Sequence, residues 1–408
     1  MLNAAPEYRS GVGWTLVLRS REIDTFRGCH RAWDLGALVR RGLVPRVRPS
    51  VFDLELAVRM GLAVYYFPAM DDWNRAIVRP LAVKGFNRAM SEQASAFERT
   101  RPLTPAQTRE WQRHRRLGEL LLTRYFDWAD AADTFDSLFS DELVWSPIPD
   151  PDDPTRDLGT PDGRPIRFVS RFDGLVSDPS DEHWVLEHRV SWDEWQTDEA
   201  LLDDDEALRT IWALEVAYPQ LLVAGTIYNE LRVHADDLDR FAGMPAGPVR
   251  AVAEGHRETR DMGRVRHPSP VRLPLTPTAD EIGRTAVAHD EIAARAGTEH
   301  ARRTWVRRAR GSIDEAGRRI ARDVRLMADP AVDVSPNPAP ERCAACAFLA
   351  PCTAMQEGRD AAELLLLDYR QRTEQELEDA GLRRSDERAA EQAGRGVDHS
   401  KNVNFRWS

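Results

Sequence analysis

Four cysteines divide into Cys29, alone near one end of the chain, and a trio near the other, Cys343, Cys346 and Cys352, spaced C-x2-C-x5-C. Four sulfurs so divided suit a four-thiolate clasp, provided that the two ends of the chain fold back together. Disulfides, a tetrahedral Zn2+ site and an iron–sulfur cluster all draw on such a set, and spacing does not choose among them. The plainer alternative is that the thiols only fill a core. Residues 1–20 carry Glu7, Arg9 and Arg19, and their longest apolar stretch lies around Leu16–Leu18, so no secretory signal is expected. No stretch approaches the length of a membrane span. A cytoplasmic, reducing setting is therefore expected, which sets disulfides behind a metal or a cluster.

The second candidate chemistry belongs to oxygen. Asp173 stands in the run Arg171–Gly174, within one predicted strand, and Glu187 stands in the run Leu186–Arg189 on the next. If the two strands form a hairpin, the carboxylates converge on one hard divalent cation, a common device for activating water against a phosphodiester. Mg2+ or Mn2+ suits such ligands. In a chain with 67 acidic residues an acid pair also arises by chance. His188, between Glu187 and Arg189, should point to the opposite sheet face, which makes its side chain a poor general base.

These residues need elements to hold them. Helices are expected over 21–43, which carries Cys29, over 54–66, stopped by Pro68, and over 104–135. From about residue 141 the pattern changes to short β-branched and aromatic runs at 142–148, 167–177, 184–190 and 221–233, with a helix at 206–217 before the last. Three strands, a helix and a further strand make a small α/β sheet. Residues 235–280 read as loop or insertion. Ser312–Glu315 then reads as a capping box for a helix whose stripe is Ile313, Ala316, Ile320, Val324 and Met327. The expected division is a mainly helical lobe over 1–140, an α/β core over 141–233, a loop-rich insertion over 234–300, a basic helix and cysteine segment over 301–382, and a disordered tail over 383–408.

Length favours two joined lobes or one elaborated domain for 408 residues, and a net charge of −11 argues against a diffusely basic nucleic-acid binder. A local patch is still available: Arg302, Arg303, Arg307, Arg308 and Arg310 crowd together, and Arg318, Arg319, Arg322 and Arg325 follow. It reads either as a nucleic-acid contact or as a solvated charged face. Trp184, Trp192, Trp195 and Trp212 offer stacking surfaces for unpaired bases, or ordinary packing.

Taken in order, Cys29–Trp33, Arg171–Gly174, Leu186–Arg189 and the segment Cys343–Cys352 resemble the PD-(D/E)XK nuclease superfamily. The resemblance is to its RecB/AddB-like iron–sulfur branch, which includes the CRISPR-adaptation exonucleases, and it spans about residues 20–375. It implies a restriction-endonuclease-like α/β core sheet flanked by helices, a helical N-terminal lobe, and a structural [4Fe-4S] cluster on Cys29, Cys343, Cys346 and Cys352 stapling the termini. It also implies Asp173, Glu187 and the His188 carbonyl as ligands of Mg2+ or Mn2+, with DNA, single strands included, as substrate and a helicase or other DNA-processing protein as partner.

Four positions depart from the family pattern. Tyr65 stands at the family histidine, Arg189 at the lysine that activates water, and Ala207 and Ile211 at the Gln and Tyr of the following helix. Arg189 keeps a positive charge able to stabilise developing phosphate charge, but it cannot carry protons. The resemblance thus implies either a metal-dependent DNA nuclease, exonuclease-like or an endonuclease, or a degenerate, non-cleaving protein that binds DNA or scaffolds a partner. A third reading is a zinc-braced interaction module.

Overall fold

Runs with helical periodicity form helices and the β-branched runs form one mixed sheet in the computed structural model, which describes residues 16–37, 40–46, 52–99, 101–161, 163, 165–242 and 287–372. Two compact units emerge, both discontinuous in sequence, in contrast to the contiguous division expected. One draws on Met1–Arg48, Trp145–Ser170 and Glu315–Ser408, the other on Pro49–Val144 and Arg171–Asp314.

The larger unit begins with α3 (Leu54–Tyr65), entered through Asp53, whose carboxylate accepts the Leu56 N–H at 2.9 Å. Its buried face, Leu54, Ala57, Val58, Gly61, Leu62 and Tyr65, follows the helical period. Helix α4 (Arg75–Glu98) buries Val78, Ala82, Phe86, Met90 and Ala94, one residue per turn. Helix α5 (Pro105–Ala132) opens with Pro105 after a Thr104–Gln107 capping box. Strands β6 (Ile166–Ser177) and β7 (His183–Trp192) pair antiparallel. Helices α6 (Asp198–Leu202) and α7 (Asp205–Ala217) then lead to β8 (Val223–Val233), which lies parallel to β7. Strand β3 (Asp136–Pro147) also pairs with β6. Leu186, Val190, Ile227 and Leu231 pack with α3, α4 and α5, while Tyr228 and Val306 pack with Leu201 and Ala207, so helices flank the sheet. Among the described residues no helix is long and apolar enough to cross a membrane.

The arginine cluster departs from expectation. Residues 301–307 form β10 (Ala301–Arg307), paired antiparallel with β8 and with β9 (Glu291–Gly297). Thr304, Trp305 and Val306 are good strand formers, and the arginines on either side of them obscured the alternation. The residues expected to be loop-rich insertion thus include α8 (Ala235–Ala242) and β9, while 243–286 lie outside the described residues. The arginines are paired internally: Arg302 with Glu230 at 2.5 Å, Arg303 with Asp133 at 2.6 Å, Arg307 with Glu182 at 2.7 Å, Arg308 with Asp290 at 3.0 Å and Arg310 with Glu215 at 2.5 Å. Arg303 and Arg308 are buried, so neither a solvated face nor a free basic patch describes those two, whereas the side chains of Arg318, Arg322 and Arg325 are more than half exposed, as a solvated face would have them.

Asp71 marks the approach to β3. Its Oδ2 accepts the Ser137 N–H at 3.2 Å, and burial raises its carboxyl to about 7 despite that bond and Arg75. The fold therefore favours the protonated form. That contribution is complete below the unfolded value near 4 and fades as pH climbs through about 7. Asp71→Asn should gain about 1 kcal/mol over the wild type at pH 8, after allowance for solvent screening, and nothing at pH 4. Urea midpoints across that range check this; parallel curves for the two proteins would refute it.

The other unit contains β1 (Leu16–Arg19), parallel to Ile166–Val169 of β6, and helices α1 (Ser20–Gly28) and α2 (His30–Gly36). The single helix expected over 21–43 is broken at Cys29, which is extended (φ −164°), and it gives way to β2 (Leu43–Pro45). A positive φ of 60° at Gly42 makes the turn into β2. Strands β4 (Pro149–Asp150) and β5 (Asp153–Asp157) make a small hairpin. Helix α9 (Arg310–Ala328) buries the expected stripe, but it starts at Arg310, so Ser312 lies inside the first turn and does not cap it. Glu315 instead pairs with Arg318 at 2.8 Å and Arg322 at 2.7 Å. Helices α10 (Pro340–Ala344), α11 (Leu349–Gln356) and α12 (Ala362–Asp368) lead to β11 (Tyr369–Gln371), antiparallel to β2. The tail expected to be disordered, 383–408, lies outside the described residues.

Candidate active site

The β6–β7 ladder pairs Ser177 with His183 and closes at Gly174 with Leu186. One step beyond stand Asp173 and Glu187, where the His188 N–H turns to the Asp173 Oδ2 at 2.7 Å. Gly174 suits this close approach: a Cβ there would lie 3.2 Å from Leu186 Cβ and 3.3 Å from the Phe139 carbonyl oxygen. Asp173 is 4% exposed and Glu187 8%. Among the described residues no hydrogen bond or ion pair reaches the Glu187 carboxylate. Burial, and then the neighbouring Asp173 charge, push its carboxyl well above the usual range, with Arg59 and Arg189 opposing.

Sequence reasoning missed the contribution of α3. Arg59 Nε donates to Asp173 Oδ1 at 2.7 Å, so both oxygens of Asp173 are engaged. Burial works against the Arg59 charge, but Asp173 and Glu187 outweigh it and hold the guanidinium firmly protonated. Glu55, one turn earlier, accepts the Val190 N–H at 3.4 Å, and burial raises its carboxyl. The available signal was the i,i+4 spacing of Glu55 and Arg59, which on a helix usually marks a surface pair.

Side chains of β7 alternate. Glu187 and Arg189 share one side, where Arg189 is hydrogen-bonded to Asp204 and Gln196 and lies 4.8 Å from the centre of the Tyr228 ring. His188 faces the other way, as expected, and stacks on Tyr66 at 5.5 Å. Arg303 Nε donates to Asn229 Oδ1 at 2.6 Å, which turns Asn229 Nδ2 toward His188 Nδ1 at 3.4 Å. Nδ1 is then the acceptor and the ring proton sits on Nε2. That atom is buried with no partner among the described residues, and burial lowers the ring well below its usual value.

Apart from Arg189, which is only partly buried, the positions singled out as departures in the sequence are packed inside. Tyr65 is buried and donates to Asp130, and Ala207 and Ile211 are buried in α7. Of the four tryptophans, Trp184 is buried against Trp305, Trp212 is buried, and Trp195 lies beneath Arg302 and Arg232, which leaves Trp192, 50% exposed.

All four cysteines are free thiols that share one neighbourhood in the smaller unit. The Cys346 thiol is pushed up first by burial and then by Cys29, Cys352 and Cys343, against the Phe348 N–H. The extended break at Cys29 exposes its sulfur to the Asn337 N–H at 3.5 Å, while Phe348 N–H points at Cys346 Sγ at 3.4 Å. Arg342 and Asn337 both donate to the Gly28 carbonyl oxygen, at 2.6 and 3.1 Å, fastening the Cys29 loop to the cysteine segment. Amide donors aimed at grouped sulfurs fit a thiolate centre in the kind of donor they supply. Among the described residues, however, no three His, Cys, Asp or Glu side chains already stand in ligating positions.

Comparison with family models and with curated proteins gives no match for the chain.

Proposed function

We propose that the chain is a PD-(D/E)XK-type nuclease acting on DNA, with Asp173 and Glu187 holding Mg2+ or Mn2+ and Cys29, Cys343, Cys346 and Cys352 holding a [4Fe-4S] cluster. The observation that carries this reading is the juxtaposition of two buried carboxylates where the β6–β7 ladder ends, one of them without a hydrogen-bond partner among the described residues. The order β3, β6, β7, α7, β8, with β7 and β8 parallel across the helix, supports it. A divalent cation there would activate water and polarise the phosphodiester. The His188 N–H fixes the orientation of Asp173, and Glu187 supplies the unsatisfied oxygens. Arg189 commits donors to Asp204 and Gln196, so Arg59 is the guanidinium that touches the acid pair. The His188 carbonyl is the third ligand in this reading. Zn2+ is the alternative occupant of the thiols.

Those commitments of Arg189, with Ala207 and Ile211 packed in the interior, favour a second reading: a non-cleaving protein that binds DNA or scaffolds a DNA-processing partner such as a helicase. Anaerobically purified protein of recorded iron content and absorbance, given labelled single- and double-stranded DNA with Mg2+ or Mn2+, separates the two. The nuclease reading expects cleavage that falls at least about a hundredfold in Asp173→Ala. No cleavage by a folded, brown, iron-replete sample, with salt-sensitive DNA binding that survives Glu187→Ala, establishes the second. A colourless, zinc-containing sample replaces cluster with zinc.

A further inference from the structure

Arg59 sits against Asp173 with its Nε 2.7 Å from Oδ1, at the oxygen a divalent cation bridging Asp173 and Glu187 would take. The other Asp173 oxygen is held by the His188 N–H, and the carboxylate is 4% exposed, so Oδ1 serves one positive charge at a time. We propose that Arg59 is a built-in counter-ion of the acid pair, a guanidinium that competes with the divalent cation and must withdraw before the cation binds. This deepens the metal-site reading and rests on it.

Three features make the withdrawal physically reasonable. The Arg59 side chain is 29% exposed, so it has a path to solvent that Asp173 lacks. Its guanidinium is carried on a flexible stem. Glu55, one helical turn earlier, is a second carboxylate within its electrostatic reach and can receive the displaced charge. In the cation-free state the same contact keeps Asp173 from being a buried, uncompensated charge, which is expensive in a protein interior. The acid pair is thus neutralised from within at the expense of metal affinity. Because a guanidinium carries one charge and, beyond its electrostatic pull, donates no hydrogen bond to the Glu187 oxygens, a divalent cation still outcompetes it when present in sufficient concentration.

Calorimetric titration of MnCl2 into wild type, Arg59→Met and Asp173→Asn tests this in low-salt buffer. Arg59→Met is expected to bind Mn2+ at least about tenfold more tightly than wild type, the effect of removing one competing charge from a partly buried site. Asp173→Asn should not bind. Equal or weaker binding by Arg59→Met than by wild type overturns the counter-ion role and leaves the metal site standing. Absence of binding in both overturns the metal site together with the counter-ion. If Arg59→Met does not fold in metal-free buffer, refolding with Mn2+ decides: recovery supports the exchange of one cation for another, and failure to recover overturns it.

Discussion

Replacing Arg303 with methionine is expected to destabilise the protein by about 3–5 kcal/mol, the range for removing one partner of a buried ion pair. Arg303 is 2% exposed and serves five acceptors: Asp133 at 2.6 Å, Asn229 at 2.6 Å, the Tyr66 and Tyr125 hydroxyls at 3.1 and 3.2 Å, and the Ala132 carbonyl at 3.3 Å. Its guanidinium also lies 4.9 Å from the centres of both the Trp128 and Phe135 rings. Burial already raises the Asp133 carboxyl, and Arg303 is the chief influence opposing that, so the variant strands an acid in a poorly solvated place. Urea unfolding measures the loss. The double variant Arg303→Met with Asp133→Asn should recover part of it, because the stranded charge goes too. A loss below about 1 kcal/mol would show that the network is not closed as described.

Gly225→Ala should be nearly as damaging, at about 3 kcal/mol or more, the upper end for overpacking. Gly225 on β8 pairs with Arg307 on β10. A Cβ there would run into the Val306 carbonyl oxygen and sit 2.9 Å from Arg307 Cα and 3.0 Å from the Trp184 ring. Two of those three neighbours are backbone, so the strand itself must move and the ladder must open. Gly311→Ala is the control, since its Cβ would meet nothing within 4 Å, and it should be neutral or gain up to about 1 kcal/mol as a helix residue. Matching urea midpoints for Gly225→Ala and wild type would refute the β8–β10 pairing.

Much of the sheet was legible because β6, β7, β8 and α7 carry unmixed patterns, and α3 and α5 carry clear caps and stripes. Helix α4 escaped notice, although Val78, Ala82, Phe86, Met90 and Ala94 repeat every fourth residue, because two of the five are alanines and Pro80 interrupts the start. The β9–β10 hairpin was hidden by arginines whose acidic partners lie far off in sequence, as with Arg303 and Asp133. No local pattern shows which charges meet after folding. The same limit applies at the site: Asp173 and Glu187 could be picked out from adjacent predicted strands, but the approach of Arg59 depends on how α3 lies on β7, and the diversion of Arg189 depends on Asp204 capping α7.

The imidazole of His188 has a consequence of a different kind. Its Nε2–H is sealed from water with no acceptor among the described residues, in a ring kept neutral by burial, and its own backbone amide is fastened to Asp173. Such a proton exchanges slowly and resonates apart from solvated histidines. The protein therefore carries an intrinsic magnetic-resonance label one residue from Glu187, which registers events at the acid pair without any added probe.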